Sequence, residues 1–167
     1  YVTDLDGTLL TPEKQVSQET EAILNRLIQQ GMLFTIATAR SSSAFDLLSG
    51  LHLTLPGILL NGVLLYDFIK KKYVDCSPIA PQDACRILEI LKQHHHLSFL
   101  YRLVEGEIGV EFETLHNTFE QNFYEERREK GYKWFRRVEH IEIGDQDSVI
   151  YFTMMDTKEI LEPIFEE

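Results

Sequence analysis

Two carboxylates near the start of the chain have a spacing that can support chemistry. Asp4 and Asp6 lie in the segment Asp-Leu-Asp-Gly-Thr-Leu, directly after Tyr-Val-Thr. The aliphatic run predicts a strand and Gly7 predicts a turn, so Asp4 would end the strand and Asp6 would lie on the loop. Two adjacent carboxylates repel each other unless a cation or a shared proton relieves them. The pair therefore indicates a divalent-metal site or a nucleophile with an acid/base partner. The alternative is an acidic turn that caps a helix.

A hydroxyl residue and a basic residue follow the second predicted strand. Thr38 and Arg40 come after the apolar run 33–37 and before the serine cluster 41–43, which predicts a helix start. A hydroxyl at a strand end, beside the free amides of a helix N-terminus, is a natural phosphate contact. The alternative is an ordinary capping cluster. The role of Arg40 stays open between orienting a phosphate and closing a salt bridge.

A third polar pair, Asn61 and Gly62, follows the third predicted strand. The amide of Asn61 could position a substrate or order a phosphate-binding loop. The alternative is a plain turn, because Asn-Gly is a preferred tight-turn dipeptide.

The predicted elements bring these three pairs to one edge of a sheet. Ser17 predicts an N-cap, a helix should cover 19–30 up to Gly31, and another should cover 41–49. Strands are predicted at 33–37 and 58–60. Apolar strands joined by helices indicate a parallel sheet, which carries its chemistry at the carboxyl ends of its strands.

From residue 63 the pattern changes to that of an α+β unit with an antiparallel sheet. A hairpin is predicted over 63–74, and a helix runs from Pro81 to His94, so that His94–His96 would be solvated at its end. Gly144–Asp147 reads as a hairpin turn. The remaining predicted elements are strands at 98–104, 108–112, 133–138 and 148–154, and helices at 115–129 and from 157.

The composition limits the partners that the chain can bind. Its 167 residues are 44% hydrophobic, enough for one sizeable core or two small ones. The 16 basic and 27 acidic residues give a net charge of −11, which repels nucleic acid and anionic membranes. A phosphate site must therefore gather local positive charge. No spanning segment or signal peptide is visible, and Cys76 and Cys85 indicate reduced thiols, so we expect a cytoplasmic protein.

With these motifs the chain resembles the haloacid dehalogenase superfamily of phosphotransferases. The acidic pair, the Thr-Ala-Arg at 38–40 and the Asn-Gly at 61–62 resemble in particular the Cof-like members, which carry a cap after the third core strand. The resemblance implies Asp4 as the nucleophile, Asp6 as the general acid/base, and Mg²⁺ held by the Asp4 carboxylate and the Asp6 backbone carbonyl. It implies that Thr38 binds the transferring phosphate. Ala39 departs from the Thr-Gly-Arg of many relatives and leaves the threonine intact.

The resemblance also implies a fold and an activity. We expect an α/β protein whose partial Rossmann-like, parallel-sheet core occupies 1–62, with a hinge or cap start at 63–78 and an α+β cap at 79–167. The cap would close over the site and select the substrate. The implied enzyme hydrolyses a small phosphomonoester, such as a sugar phosphate, through an aspartyl-phosphate.

Two alternatives stay open at this point. One is a phosphomutase of the same superfamily, for instance a phosphomannomutase-like enzyme. The other is a truncated or degenerate relative without activity, because the lysine and the Gly-Asp-x-x-x-Asp cluster expected after the cap are absent. The chain opens on Tyr1 and ends in a helical pattern, so we expect a piece of a longer chain that lacks the C-terminal part of the core.

Overall fold

The structure, a computed structural model, describes residues 1–41, 44–129 and 134–166. These residues divide into two units, Tyr1–Ser77 and Pro78–Glu167. Both helices and sheets are present, as the predicted α/β class requires. Within the described residues, no helix is both long enough and apolar enough to cross a bilayer. The functional boundaries expected at 63–78 and 79 stay predictions.

A small parallel sheet begins the first unit, as predicted. Strand β1 (Val2–Thr3) pairs in parallel with β2 (Thr35–Ile36), and Ala37 forms a parallel bridge to Ile58 of β3 (Gly57–Leu59). The three strands therefore point the same way. The residues that follow them come to one edge of the sheet.

The helix between β1 and β2 has the boundaries that its sequence predicts. Helix α1 covers Gln18–Gln29, and the Ser17 Oγ accepts a hydrogen bond from the Thr20 N–H at 3.1 Å. Its apolar side buries Ile28, and Gly31 follows the helix with a φ of 96°. Only glycine adopts that conformation at little cost, so the chain can turn there into β2.

The helix predicted over 41–49 is wrong in type over its described residues 44–49. A 3-10 turn covers Asp46–Leu48, while residues 42 and 43 lie outside the described part. Short segments favour 3-10 turns because a helix of this length does not repay the cost of nucleation. The segment is held instead by burial of Ala44 and Leu48.

The predicted hairpin is confirmed. Strands β4 (Leu64–Asp67) and β5 (Lys72–Cys76) are antiparallel, and β4 also pairs with β3. At the tip, Asp67 Oδ1 accepts hydrogen bonds from the N–H groups of Ile69 and Lys70 at 2.9 and 2.8 Å. The hairpin thus continues the sheet of the first unit.

The second unit is a four-stranded sheet with helices. Its elements are α2 (Pro81–Gln93), β6 (Phe99–Val104), β7 (Glu107–Phe112), α3 (Thr118–Glu129), β8 (Trp134–Arg137), β9 (Ser148–Thr153) and α4 (Lys158–Phe165). The strand order is β8-β7-β6-β9, and the β7–β8 pair is parallel. The purely antiparallel sheet that we predicted is therefore wrong. The chain passes from β7 to β8 through helix α3, which returns it to the end where β7 began. Strand β8 therefore runs parallel to β7.

Both faces of this sheet are covered. Leu100 packs with Leu88 of α2 and Ile164 of α4 in one hydrophobic core. Its neighbour Phe99 points the other way, and its ring lies 5.3 Å from that of Phe123 in α3.

Two sequence expectations about this unit are wrong in part. Gly144–Asp147 is a turn, since the Asp147 N–H bonds to the Gly144 carbonyl, but the predicted hairpin is wrong because the flanking strands β8 and β9 pair with β7 and β6 and not with each other. The solvated histidine run is wrong for His96, which is only 6% exposed. The left-handed His95, with a φ of 52°, ends the helix and turns His96 inward before β6.

Candidate active site

The acidic loop is a tight turn directly after β1. Asp6 (φ −74°, ψ 121°) and Gly7 (φ 76°, ψ 3°) have the geometry of the central pair of a type II turn. The Leu10 N–H donates to the Leu5 carbonyl at 2.9 Å and closes the loop, while Leu5 is fully buried. The buried leucine anchors the loop, so the two flanking carboxylates stay at the surface.

Four of the six predicted site residues line one cleft. It has a volume of about 390 Å³ and is open to solvent. Its lining comprises Asp4, Ala37, Thr38, Ala39, Ile58, Asn61 and Gly62. Asp4 Oδ1 accepts the Leu5 N–H at 2.7 Å, which fixes the orientation of this carboxylate. The cleft thus places a carboxylate, a hydroxyl and an amide around one small volume at the carboxyl ends of parallel strands.

Thr38 is the most buried of these polar residues, at 5% exposure. Its Oγ1 accepts the Arg40 N–H at 3.1 Å. Among the described residues the structure gives no acceptor for the Thr38 hydroxyl proton. That proton is therefore available to a ligand in the cleft.

The segment Leu60–Gly62 has a left-handed backbone throughout. The φ values are 47° for Leu60, 55° for Asn61 and 100° for Gly62. Two bonds hold it against the loop after β2: the Leu60 N–H donates to the Arg40 carbonyl at 3.1 Å, and the Asn61 N–H donates to the Thr38 carbonyl at 3.2 Å. The Asn-Gly pair is thus a turn, as its composition suggests, and it also forms one wall of the cleft.

Asp6 and Arg40 do not line this cleft, because they bond to each other. Arg40 Nε donates to Asp6 Oδ2 and Arg40 Nη2 donates to Asp6 Oδ1, both at 2.6 Å. These hydrogen bonds lower the pKa of the Asp6 carboxyl from its usual value; partial burial opposes this, and the charges of Arg40 and Lys14 reinforce it. Of the two roles left open for Arg40, this geometry is that of a salt bridge. The sequence could not reveal it, because the partners are 34 positions apart.

No cluster of three or more His, Cys, Asp or Glu side chains in metal-binding geometry occurs among the described residues. The oxygens nearest to such a role are those of the acidic loop. Asp4 supplies an exposed carboxylate beside the cleft, and hard oxygen donors of this kind suit Mg²⁺.

One family model matches the whole chain, and individual relatives match parts of it. The family model of haloacid dehalogenase-like hydrolases covers residues 1–167. The chain is 34% identical over 99 residues to the pyridoxal phosphate phosphatase YbhA of Escherichia coli, a match covering 59% of this chain and 36% of that protein. It is 42% identical over 66 residues to the HMP-PP phosphatase of Serratia proteamaculans, covering 38% of this chain and 24% of that protein.

A crystal structure from Eubacterium rectale has the same fold. It superposes with a TM-score of 0.72 at 21% identity, covering 98% of this chain and 61% of the other. The matches thus span 36% and 24% of the two phosphatases and 61% of the Eubacterium rectale protein.

Proposed function

This chain belongs to the haloacid dehalogenase-like hydrolases, and we propose that the protein carrying it is a Mg²⁺-dependent phosphatase acting on a small phosphomonoester. The observation that carries the proposal is the cleft that brings Asp4 together with Thr38 and Asn61. Phosphoryl transfer requires an in-line nucleophile and stabilisation of the charge on the phosphate oxygens; a carboxylate can be that nucleophile, and a hydroxyl and an amide can donate hydrogen bonds to those oxygens.

In the first half of the proposed reaction, Asp4 attacks phosphorus. A bond forms between an Asp4 carboxylate oxygen and phosphorus, the bond to the leaving oxygen breaks, and that oxygen takes a proton from Asp6. Arg40 bonds to one lone pair of each Asp6 oxygen, so a remaining lone pair can carry the proton that is delivered. The Thr38 hydroxyl donates a hydrogen bond to a phosphate oxygen.

In the second half, water attacks the phosphorus of the aspartyl-phosphate. The bond between phosphorus and Asp4 breaks, the carboxylate is restored, and Asp6 receives the proton of the water. Asp6 is the first central residue of the type II turn, and Asp4 lies two positions before it, so one short loop carries both groups.

The acidic loop fits the cation that we propose. The Asp4 carboxylate and the Asp6 backbone carbonyl would hold Mg²⁺, which commonly binds through one or two carboxylates and completes its shell with water and phosphate oxygens. When bound, Mg²⁺ neutralises charge on the phosphate. This matters in a chain with a net charge of −11, whose long-range field repels phosphate.

The substrate class rests on the size of the cleft and on the relatives. A volume of about 390 Å³ suits a small molecule, and the names of two relatives denote phosphatases of small phosphorylated compounds. We propose a compound of the sugar-phosphate kind. A cytoplasmic location and the absence of nucleic-acid or membrane partners stay predictions from composition.

The decisive experiment replaces the nucleophile in the protein that carries this sequence. Asp4→Asn should lower the rate of phosphate release by on the order of 10⁴-fold, because the amide cannot form the covalent intermediate. Asp145→Asn, in an exposed turn of the second unit, serves as the matched control and should keep wild-type activity. Wild-type activity of Asp4→Asn would refute the proposal. A product that is an isomeric phosphate, with little free phosphate, would identify a phosphomutase instead.

A further inference from the structure

Arg40 contacts Asp6 through its side chain and the phosphate-site loops through its backbone. We infer that Arg40 is a positioning residue that holds Asp6 ready to take the proton of the attacking water, so that its loss slows hydrolysis of the phosphoenzyme and spares its formation. This inference rests on the proposed function, since it assigns Arg40 a task in the second half of that reaction.

The Arg40–Asp6 contact fixes the plane of the carboxylate. A guanidinium that bonds through Nε and one Nη, as here at 2.6 Å on each side, presents two parallel donors to two oxygens. A single donor would leave the carboxylate free to rotate. Each oxygen still has a second lone pair, so the held carboxylate can accept a hydrogen from water.

The backbone of Arg40 is held in place by hydrogen bonds that do not involve its side chain. Its N–H donates to Thr38 Oγ1 at 3.1 Å, and its carbonyl accepts the Leu60 N–H at 3.1 Å. These bonds involve only the backbone of Arg40, so a substitution at this position can preserve them. Replacing the side chain therefore removes the support of Asp6 without dismantling the loops that carry Thr38 and Asn61.

The same geometry argues against Arg40 as the main phosphate clamp. Its Nε–Nη2 edge is occupied by Asp6. An arginine that clamps phosphate with this edge would first have to leave the carboxylate.

The two halves of the reaction depend differently on Asp6. With a leaving group that departs easily as an anion, phosphorylation of Asp4 needs no proton from Asp6. Hydrolysis still needs a base, because water must lose a proton as its oxygen bonds to phosphorus and the bond to Asp4 breaks. A loss of Asp6 alignment should then slow only the hydrolysis step, which follows the departure of the first product.

The test uses p-nitrophenyl phosphate with the protein that carries this sequence. Arg40→Gln should lower kcat on the order of 10-fold, less than the 100-fold or more expected for removal of a general base. KM should fall by the same factor, leaving kcat/KM unchanged. Rapid mixing should reveal a burst of p-nitrophenolate approaching one equivalent per enzyme. Arg40→Lys, which keeps one charged donor, should restore part of kcat.

Two controls separate positioning from other roles. Arg26→Gln removes an exposed arginine of α1 and should behave as wild type. In an Asp6→Asn background, Arg40→Gln should have no further effect on kcat, because a residue that acts through Asp6 has nothing left to position.

Other outcomes would overturn the inference. A fall in kcat/KM with a raised KM and no burst would make Arg40 a phosphate-binding residue. Equal losses of kcat with and without Asp6 would make its role structural, and so would a thermal-unfolding shift that tracks the loss of activity. If Arg40→Gln does not fold, the same burst measurement is made on Arg40→Lys. A burst with unchanged kcat/KM would support the inference, and a raised KM without a burst would overturn it. An active Asp4→Asn enzyme would instead overturn the proposed function.

Discussion

At the scale of single residues, Thr38 shows how position gives an ordinary side chain a specific task. Its hydroxyl is buried at the end of β2, its oxygen is already bonded to the Arg40 N–H, and its proton remains for a ligand. A hydroxyl held in this way can donate its hydrogen to an incoming oxygen. The role predicted for Thr38 from its place after a strand is therefore chemically consistent with its contacts.

Removing this hydroxyl should weaken phosphate binding. Thr38→Val keeps the shape of the side chain and loses the donor, so KM for a phosphomonoester should rise about 10-fold, which corresponds to about 1.4 kcal/mol. Thr38→Ser keeps the hydroxyl and should stay within a few-fold of wild type. Steady-state kinetics check both variants. An unchanged KM for Thr38→Val would show that the hydroxyl does not bind the phosphate.

The residue scale also marks the limit of sequence reasoning at this site. Residue types and spacing sufficed to predict that Asp4, Thr38 and Asn61 lie close together, because the carboxyl ends of neighbouring parallel strands come to one edge of the sheet. They could not choose between two tasks for Arg40, since a long side chain reaches in several directions. They also failed for His96, whose burial depends on a backbone reversal at His95 that no apolar pattern reveals.

At the scale of elements, the turn Leu60–Gly62 links two strand ends. Left-handed conformations cost free energy for residues with a Cβ atom, and Leu60 is a particularly costly case. Two hydrogen bonds to the loop after β2 compensate. The strain is located where the chain forms a wall of the cleft, as strained turns often are at functional sites.

A substitution at Gly62 would measure the free-energy cost of the left-handed backbone in this turn. A Cβ at Gly62 would meet no atom within 4 Å, so Gly62→Ala should destabilise only through its φ of 100°, by about 1–2 kcal/mol. Gly144→Ala is the control, because its Cβ would make only an ordinary contact at 3.8 Å and its φ is not left-handed. Denaturant unfolding measures both. Equal stability of the two variants would show that the turn relaxes at no cost.

Elements with strong local signals were predictable, and those fixed by distant contacts were not. Ser17 and Gly31 mark both ends of α1, and the hairpin follows from its alternating strands and charged tip. The 41–49 segment has a capping sequence like that of α1, yet its described residues 44–49 form 3-10 turns, among them Asp46–Leu48, and no α-helix, because burial of Ala44 and Leu48 outweighs helix propensity. The direction of β8 depends on the path of α3, which a list of elements does not specify.

At the scale of the whole molecule, stability at alkaline pH should depend on Tyr101. Burial raises the pKa of this phenol to about 12 from 10.0, against a smaller opposing effect of its bond to Thr153. A raised pKa in the folded state means that the folded protein keeps a proton that the unfolded chain releases. The contribution of Tyr101 is therefore fully present below pH 10 and is lost as the pH rises to 12.

The free energy of unfolding of the second unit should fall by about 2 kcal/mol between these pH values through Tyr101 alone. Tyr101→Phe should flatten this part of the profile, and Tyr1→Phe should not, because Tyr1 is 84% exposed. Urea unfolding at a series of alkaline pH values provides the measurement. Parallel profiles for wild type and Tyr101→Phe would contradict the assignment.

The glycines of the two tight turns also bear on how the protein ages. Asp6-Gly7 and Asn61-Gly62 are dipeptides in which the backbone nitrogen of glycine can attack the preceding side chain, because glycine has no Cβ to hinder the approach. At Asn61 this attack forms a succinimide and releases ammonia, and water then opens the ring to aspartate or isoaspartate. A new carboxylate would then lie in the wall of the cleft that we propose to bind phosphate, and its charge would repel that ligand. If the cleft binds phosphate as proposed, stored protein should lose affinity for its substrate as this change accumulates.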